Sequence, residues 1–149
     1  MVKKTKNLEF YEGIGRRKQA VARVRLYLMG KNKEITVGHT KIKLGEIYIN
    51  NNTFEKVYSR YHREFIFSPL KLTGNENRFA ISIKTSGGGK NGQLEAIVHG
   101  ISRSLSKVDE NYRSALKKNG FLTRDPRKKE RRKVGTGGKA RRAKQSPKR

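Results

Sequence analysis

Cysteine is absent from this chain of 149 residues, which excludes disulfide bonds and thiolate zinc sites and is compatible with a reducing compartment. No apolar stretch reaches the length that spans a bilayer, and no lipidation motif occurs. Residues 1–10 carry positive charge but lack the apolar region of a secretory signal. We therefore predict a short basic N-terminal arm over residues 1–10 and no membrane partner.

Acidic residues are scarce, since 12 Asp and Glu stand against 37 Lys and Arg, for a net charge of +25. Residues 124–149 hold 13 of these bases and two of the acids, and Val134 is their one sizeable apolar side chain. A segment of this composition cannot bury enough apolar surface to fold alone. Residues 1–123 are also basic. The charge therefore predicts a polyanionic partner, with nucleic acid first, which it attracts with release of counterions.

Motifs for cofactors and catalysis are missing as well. Asn91 follows Gly89-Lys90 where a phosphate-binding Walker loop needs Ser or Thr, and Lys18 stands where a dinucleotide fingerprint needs its third glycine. The three histidines lie far apart, with no partner at metal-ligand spacing. We predict no cofactor, no metal site and no enzymatic activity. A nuclease site of paired carboxylates has no local support in the sequence.

Alternation of apolar and polar residues predicts strands over 19–29 and 78–85, and a hairpin or a strand with a turn over 33–49. The first strand is expected to have a core face of Ala20, Ala22, Val24, Leu26 and Leu28 and a basic outer face of Val21, Arg23, Arg25 and Tyr27. In the later strand, Phe79, Ile81 and Ile83 share a face.

Helical spacing of apolar residues is clearest after the glycines at 87–89, at Leu94, Ile97, Val98, Ile101, Leu105 and Val108. Gly100 within this helix suggests close packing against the sheet or a backbone approach by a partner. An earlier helix is predicted to begin after Thr53 and to run toward Ser68-Pro69. A last short helix is predicted after Asp109 as its cap, with Gly120 just past its end.

Two segments combine features that suit phosphate groups. Gly87-Gly88-Gly89 precede a helix and a lysine, so they could offer backbone N–H groups to an anion, or could form a plain flexible turn. The consecutive bases Arg16, Arg17 and Lys18 are expected to be exposed, and Arg23 and Arg25 to project from a rigid strand, where arginines can fork onto phosphates. Tyr27, on the same face, is expected to be able to stack on a base or ribose.

Three motifs in a fixed order resemble the universal ninth protein of the small ribosomal subunit, from about Tyr11 to the last residue. They are Gly13-x-Gly15-Arg16-Arg17-Lys18-x-Ala20-x-Ala22-Arg23-Val24, then Gly87-Gly88-Gly89-x-x-Gly92-Gln93-x-x-Ala96-x-x-x-Gly100-Ile101-x-Arg103-x-Leu105, and then Leu122-Thr123-Arg124-Asp125-Pro126-Arg127 with Glu130-Arg131 and the terminal Lys148-Arg149.

The resemblance implies an α+β fold with a single sheet packed by helices, like the second domain of ribosomal protein five, and an extended basic C-terminal tail. It implies a globular domain over residues 11–123 that binds small-subunit rRNA in the head, beside neighbouring head proteins. The tail, residues 124–149, would thread through rRNA to the anticodon stem-loop of the peptidyl-site tRNA. The sequence pattern of residues 122–127 resembles that of family members from bacterial cytoplasmic or organellar ribosomes.

The residues expected to bind rRNA are Arg16, Arg17, Lys18, Arg23, Arg25, Gly87, Gly88, Gly89, Lys90, Gln93, Arg103, Arg124, Arg127, Arg131, Arg132, Arg141 and Arg142, and those expected to bind tRNA are Lys148 and Arg149. The bacterial-type family usually ends in an aromatic residue followed by Ser-Lys-Arg, whereas this chain ends in Gln145-Ser146-Pro147-Lys148-Arg149, so no aromatic stacking is predicted in the tail. A free RNA chaperone or nucleoid protein would also explain the charge, but not the ordered motifs.

Overall fold

The computed structural model describes residues 3–5, 8–28, 34–37, 40–135 and 137. The strands are Lys3–Thr5 (β1), Leu8–Arg17 (β2), Ala20–Leu28 (β3), Glu34–Val37 (β4), Thr40–Lys43 (β5), Ile47–Ile49 (β6), Asn52–Thr53 (β7) and Phe79–Ser86 (β8). The helices are Phe54–Val57 (α1), Arg60–Leu72 (α2), Lys90–Val108 (α3) and Asn111–Lys118 (α4). The chain therefore has the mixed α+β composition that was expected.

Six strands form one sheet in the order β1-β2-β3-β8-β6-β7, and β4 and β5 form a separate hairpin. All neighbouring strands of the large sheet are antiparallel except β6 and β8, which are parallel. Because β1 pairs with the start of β2, the described part of the predicted N-terminal arm contributes to the sheet. Among the described residues after Leu122, no helix or strand occurs.

One face of the sheet carries the main core, under the helices. Ala20, Ala22, Val24 and Leu26 of β3 are fully buried there, beside Phe79, Ile81 and Ile83 of β8. Helix α3 supplies Leu94, Ile97, Ile101 and Leu105 to the same cluster. The predicted core faces of both strands and of the long helix are confirmed.

The opposite face of the sheet is covered in part by the β4–β5 hairpin. Ile35 and Ile42 of the hairpin pack with Phe10, Tyr27 and Ala80 in a second cluster. Tyr27 is 2% exposed and its ring centroid lies 5.5 Å from that of Phe10. The expectation that Tyr27 stacks on RNA is therefore wrong, because the hairpin covers the face on which it lies.

Three glycines bring β2 and α3 into close contact. A Cβ at Gly15 would overlap the carbonyl oxygen of Ala96, and one at Gly100 would lie 2.7 Å from Cγ2 of Val24. Gly13 likewise faces the backbone of α3, where its Cβ would lie 2.7 Å from the amide nitrogen of Ser104. The close packing suggested for Gly100 is confirmed. Gly13 and Gly15 of the first motif lie inside β2.

The helix predicted from Thr53 toward Pro69 is two helices. Tyr58 and Ser59 between them are extended, with ψ near 148° and 164°. Helix α2 then continues through Pro69, whose ring nitrogen cannot donate to the carbonyl of Phe65. The hydroxyl of Ser68 donates to that carbonyl at 2.7 Å, so the acceptor is satisfied and the helix extends to Leu72.

Asp109 was predicted to cap α4, but the N-cap is the next residue, Glu110, and Asp109 supports the first turn from the position before it. A side-chain oxygen of Asp109 accepts the backbone N–H of Asn111 at 2.9 Å, which satisfies one of the donors that the first turn leaves free. Gly120 has φ +77° just past the helix, the conformation that glycine adopts most readily. The chain then leads through Phe121 and Leu122, which pack against the main core, into the basic segment.

Candidate nucleic-acid interface

The glycine loop is fixed against the turn that joins β2 to β3. Gly87 and Gly88 have φ of +69° and +64°, values that side chains with a Cβ rarely adopt. A Cβ at Gly87 would lie 2.6 Å from the carbonyl oxygen of Gln19, and one at Gly88 would lie 2.9 Å from Cβ of Ala20. Both glycines are thus required by the fold, and the loop is a packed turn rather than a flexible one.

Gly89 differs from the two glycines before it. Its φ is −100°, and no atom lies within 4 Å of the position that its Cβ would take. It is the N-cap of α3, a helix of 19 residues with no side-chain cap. The side chain of Gln93 instead donates to the carbonyl of Gly87 at 3.0 Å. The first N–H groups of α3 therefore remain available at the positive end of the helix dipole.

A groove of about 530 Å³ lies beside this loop. Its lining residues include Lys18, Lys90, Lys128 and Lys129, which come from three separate parts of the chain. We call it the glycine-loop groove. It joins the two segments that the sequence singled out, but Lys128 and Lys129 were not among the predicted site residues. A run of basic residues alone gives no sign of which of them face a groove.

Arg17 fastens the start of the basic segment to the folded domain. Its Nε donates to Glu95 Oε2 at 2.5 Å, and one terminal nitrogen donates to the backbone carbonyl of Arg127 at 2.8 Å. The other terminal nitrogen lies 3.1 Å from Oδ2 of Asp125. Arg17 is 8% exposed, so the expectation that the whole basic triplet is exposed is wrong for this residue. Alternation along β2 turns Arg17 inward, while Arg16 and Lys18 are exposed.

Asp125 and Arg127 also contact each other. We call their contacts with Arg17, together with the Arg17–Glu95 ion pair, the clamp. The guanidinium of Arg127 donates to the Asp125 carboxylate. Its Nη2 lies 2.6 Å and its Nε lies 2.9 Å from Oδ2 of Asp125. Hydrogen bonds from the side chain and backbone N–H of Arg127, together with the charge of Arg17, hold the pKa of Asp125 well below its usual range. The carboxylate is therefore ionised at neutral pH. Most of the Arg127 side chain remains exposed.

His99 lines a smaller cleft of about 170 Å³ next to Arg17 and Asp125, together with Phe121 and Arg124. The backbone N–H of Arg16 is placed to donate to its Nδ1, at 3.5 Å. Burial lowers the pKa of His99, and the charges of Arg103 and Arg124 lower it further. A neutral imidazole fits its position as an acceptor in a basic surrounding.

The remaining predicted bases lie at separate places. Arg25 donates to Glu12 at 2.9 Å and lies 4.7 Å from the ring centroid of Phe10, whereas Arg23 is exposed on the same strand. Arg103 donates to the carbonyl of Ile14 at 2.8 Å. Arg124, Arg131 and Arg132 are exposed beyond α4. Arg141, Arg142, Lys148 and Arg149 lie outside the described residues.

The family model described as ribosomal protein S9/S16 matches residues 15–149. This match covers nearly the whole chain, including the first motif from Gly15 onward, the other two motifs and the basic C-terminal segment. The chain belongs to that family. The predicted resemblance is therefore confirmed.

Membership of the S9/S16 family makes this chain a structural ribosomal protein of the small subunit, with a role in translation and with rRNA and other ribosomal proteins as partners. Within the described ranges, no three His, Asp or Glu side chains come together as a metal site. None of the helices described here has the length and apolar character needed to cross a membrane.

Proposed function

We propose that residues 11–123 form a globular domain that binds small-subunit rRNA in the head of the subunit. Residues 124–149 would form an extended basic tail that passes through rRNA to the peptidyl-site tRNA. The fold that we propose is that of the second domain of ribosomal protein five, and the ribosome is of the bacterial cytoplasm or of an organelle. Neighbouring head proteins complete the surroundings of the domain.

The glycine-loop groove carries this proposal. Four lysines surround it, and the free N–H groups of α3 open toward the same end of the helix. A phosphate diester offers anionic oxygens to both kinds of donor, and each phosphate neutralised by a lysine releases counterions. Because Lys128 and Lys129 belong to the basic segment, a strand of RNA in this groove would touch the domain and the start of the tail together.

The clamp at Arg17 supports the role that we propose for the tail. It holds Asp125 and Arg127 against the domain, so the chain that follows leaves from a defined place. When fully extended, the 26 residues 124–149 can span at most about 86 to 94 Å. A distant tRNA is therefore within reach. Pro147 stiffens the approach to Lys148 and Arg149, which we propose contact the anticodon stem-loop.

The rRNA interface can be tested with a pair of double variants of equal charge. Lys18→Gln with Lys90→Gln removes two cations from the groove, and Lys56→Gln with Lys71→Gln removes two exposed lysines on α1 and α2, away from it. Binding to small-subunit rRNA fragments is measured against salt concentration. The groove variant should reduce the slope of log K against log salt by about 1.4 to 1.8, since each phosphate contact contributes about 0.7 to 0.9.

The control variant should keep a slope close to that of the unmodified protein. Equal slopes for the two variants would show that general charge, and not the groove, binds the RNA. Sedimentation with small subunits at high salt separates a ribosomal protein from a free RNA chaperone, because a chaperone would be released.

A further inference from the structure

The sheet face opposite α3 carries a second set of basic side chains. Arg23 and Arg25 project there from β3, and Lys84 and Ser82 project from the neighbouring strand β8. With Asn51, Val37 and Tyr27 they line a groove of about 310 Å³, which we call the sheet groove. The β4–β5 hairpin, which contributes Val37, forms one wall of it.

Two of these cations face each other directly. Arg23 and Lys84 are cross-strand partners in the antiparallel register of β3 and β8, and like charges at such positions destabilise a sheet. Arg25 is neutralised by Glu12 at 2.9 Å. Across the described ranges of the chain, neither Arg23 nor Lys84 has an acidic partner. An anion between them would relieve the repulsion.

The groove also offers uncharged donors. Ser82 and Asn51 are among its lining residues, and a serine hydroxyl and an asparagine amide can both donate to phosphate oxygens. Arg23 can fork onto such oxygens, while Lys84 adds a compact charge. The lining thus suits a phosphate group better than it suits an apolar ligand.

The sheet groove is close to the glycine-loop groove along the chain. Lys84 and Gly88 are four residues apart, because β8 ends at Ser86 and leads directly into the glycine loop. Four residues span at most about 14 Å. One RNA strand can therefore pass around the end of β8 and occupy both grooves, and the second contact would gain from the high effective concentration that the first provides.

We propose that the sheet groove is a second phosphate-binding site for RNA, formed chiefly by Arg23 and Lys84 with Ser82 and Asn51. This inference rests on the RNA binding proposed above and adds a contact on the opposite face of the sheet. An acidic peptide is the competing occupant. The continuity with the glycine-loop groove favours a polymer of phosphates.

The test uses a double variant that carries both Arg23→Gln and Lys84→Gln. Its binding to a short oligouridylate is compared with that of the control double variant, which carries Lys56→Gln and Lys71→Gln. Loss of two phosphate contacts should reduce the salt slope by about 1.4, at about 0.7 per contact for a single strand. The control should not change the slope. A double variant with Arg23→Lys and Lys84→Arg keeps both charges and should therefore keep the salt slope of the unmodified protein. Circular dichroism and thermal unfolding should show an intact fold, since both side chains are exposed.

A slope for the sheet variant equal to that of the control would overturn this inference. A second outcome is that the unmodified protein binds oligouridylate with a salt slope that only the Lys18→Gln plus Lys90→Gln variant reduces. That result would reject the sheet groove as an RNA site and support the glycine-loop groove. If the unmodified protein does not bind RNA, both proposals fail. Loss of polyglutamate binding with unchanged RNA binding would assign the groove to an acidic peptide instead.

Discussion

Neighbouring bases of the same charge have different roles in this protein. Arg16 is exposed, whereas Arg17 is buried and contacts Glu95, Asp125 and the carbonyl of Arg127. The difference arises because successive residues of a strand point to opposite faces. A position in a basic run therefore does not decide whether the side chain meets RNA or holds the fold.

Replacing Arg17 by Gln should lower the free energy of unfolding by about 1 to 3 kcal/mol, since it leaves Glu95 and the Arg127 carbonyl without a charged donor. Denaturation in urea measures this. The same variant should expose the bonds after Arg124 and Arg127 to trypsin, because the start of the tail loses its anchor. Arg16→Gln is the matched control, and its exposed side chain should change stability by no more than about 0.5 kcal/mol. Equal stability of the two variants would mean that the clamp contributes nothing.

At the scale of the elements, β2 and α3 come into close backbone contact. Gly13 and Gly15 on the strand meet the backbone of the helix near Gly100. No side chain separates them, so the helix axis lies nearer the sheet than a contact between side chains would allow. Since β2 leads into Arg17 and Lys18, and α3 begins at the glycine loop, this contact also fixes the two sides of the glycine-loop groove.

The substitution Gly15→Ala should therefore destabilise the protein by about 2 to 3 kcal/mol or more, because its Cβ would overlap the backbone of Ala96, which cannot move aside as a flexible side chain can. Gly89→Ala introduces the same methyl group where nothing lies within 4 Å. It should cost less than about 1 kcal/mol, from the weaker N-cap. Thermal and urea unfolding of the two variants compare them, and a tolerated Gly15→Ala would contradict the close contact.

The parts of the fold that could be predicted from sequence are those with one fully buried face. The alternation in β3 and the helical spacing in α3 both follow from burial against the same core. Tyr27 was misplaced because a period of two does not reveal that another hairpin covers the outer face. Strand β2 was missed since Gly13 and Gly15 occupy the positions where an apolar side chain would mark a core face.

The candidate site shows the same limit. The glycine loop and Lys18 could be selected from local composition. That Lys128 and Lys129 face the loop depends on the contact of Arg17 with Arg127, which are 110 residues apart. A contact between residues so far apart in sequence depends on the whole fold. The residues around Arg17 and Arg127 therefore carry no local pattern that predicts this contact.

For the molecule as a whole, the net charge of +25 is shared between the folded part, which holds the main core, and the basic residues 124–149, which we propose form a tail. The domain has its own core, whereas the composition of the tail requires an outside partner for order. On our proposal, rRNA contacts are many and tRNA contacts are few. The two activities should therefore separate when the end of the tail is removed.

Deleting Lys148 and Arg149 should leave assembly of the small subunit near normal, because 11 other bases remain in residues 124–147. Dissociation of peptidyl-site tRNA should become faster, since two charged contacts of about 1 to 3 kcal/mol together are lost. Off-rates of tRNA on reconstituted subunits measure this, with a Lys148→Arg and Arg149→Lys exchange as control. Unchanged off-rates with the truncated chain incorporated would show that the end of the tail does not touch tRNA.

The separation of β2 from its covering helix also has a consequence for synthesis. Arg16 and His99 are 83 residues apart, so at about 5 to 20 residues per second roughly 4 to 17 s pass between the translation of β2 and that of its partner on α3. During this interval the β2–β3 pair exposes the apolar face of Ala22, Val24 and Leu26. Mutual repulsion of the positively charged nascent chains then opposes their aggregation, so the charge that suits RNA in the finished protein also protects the unfinished one.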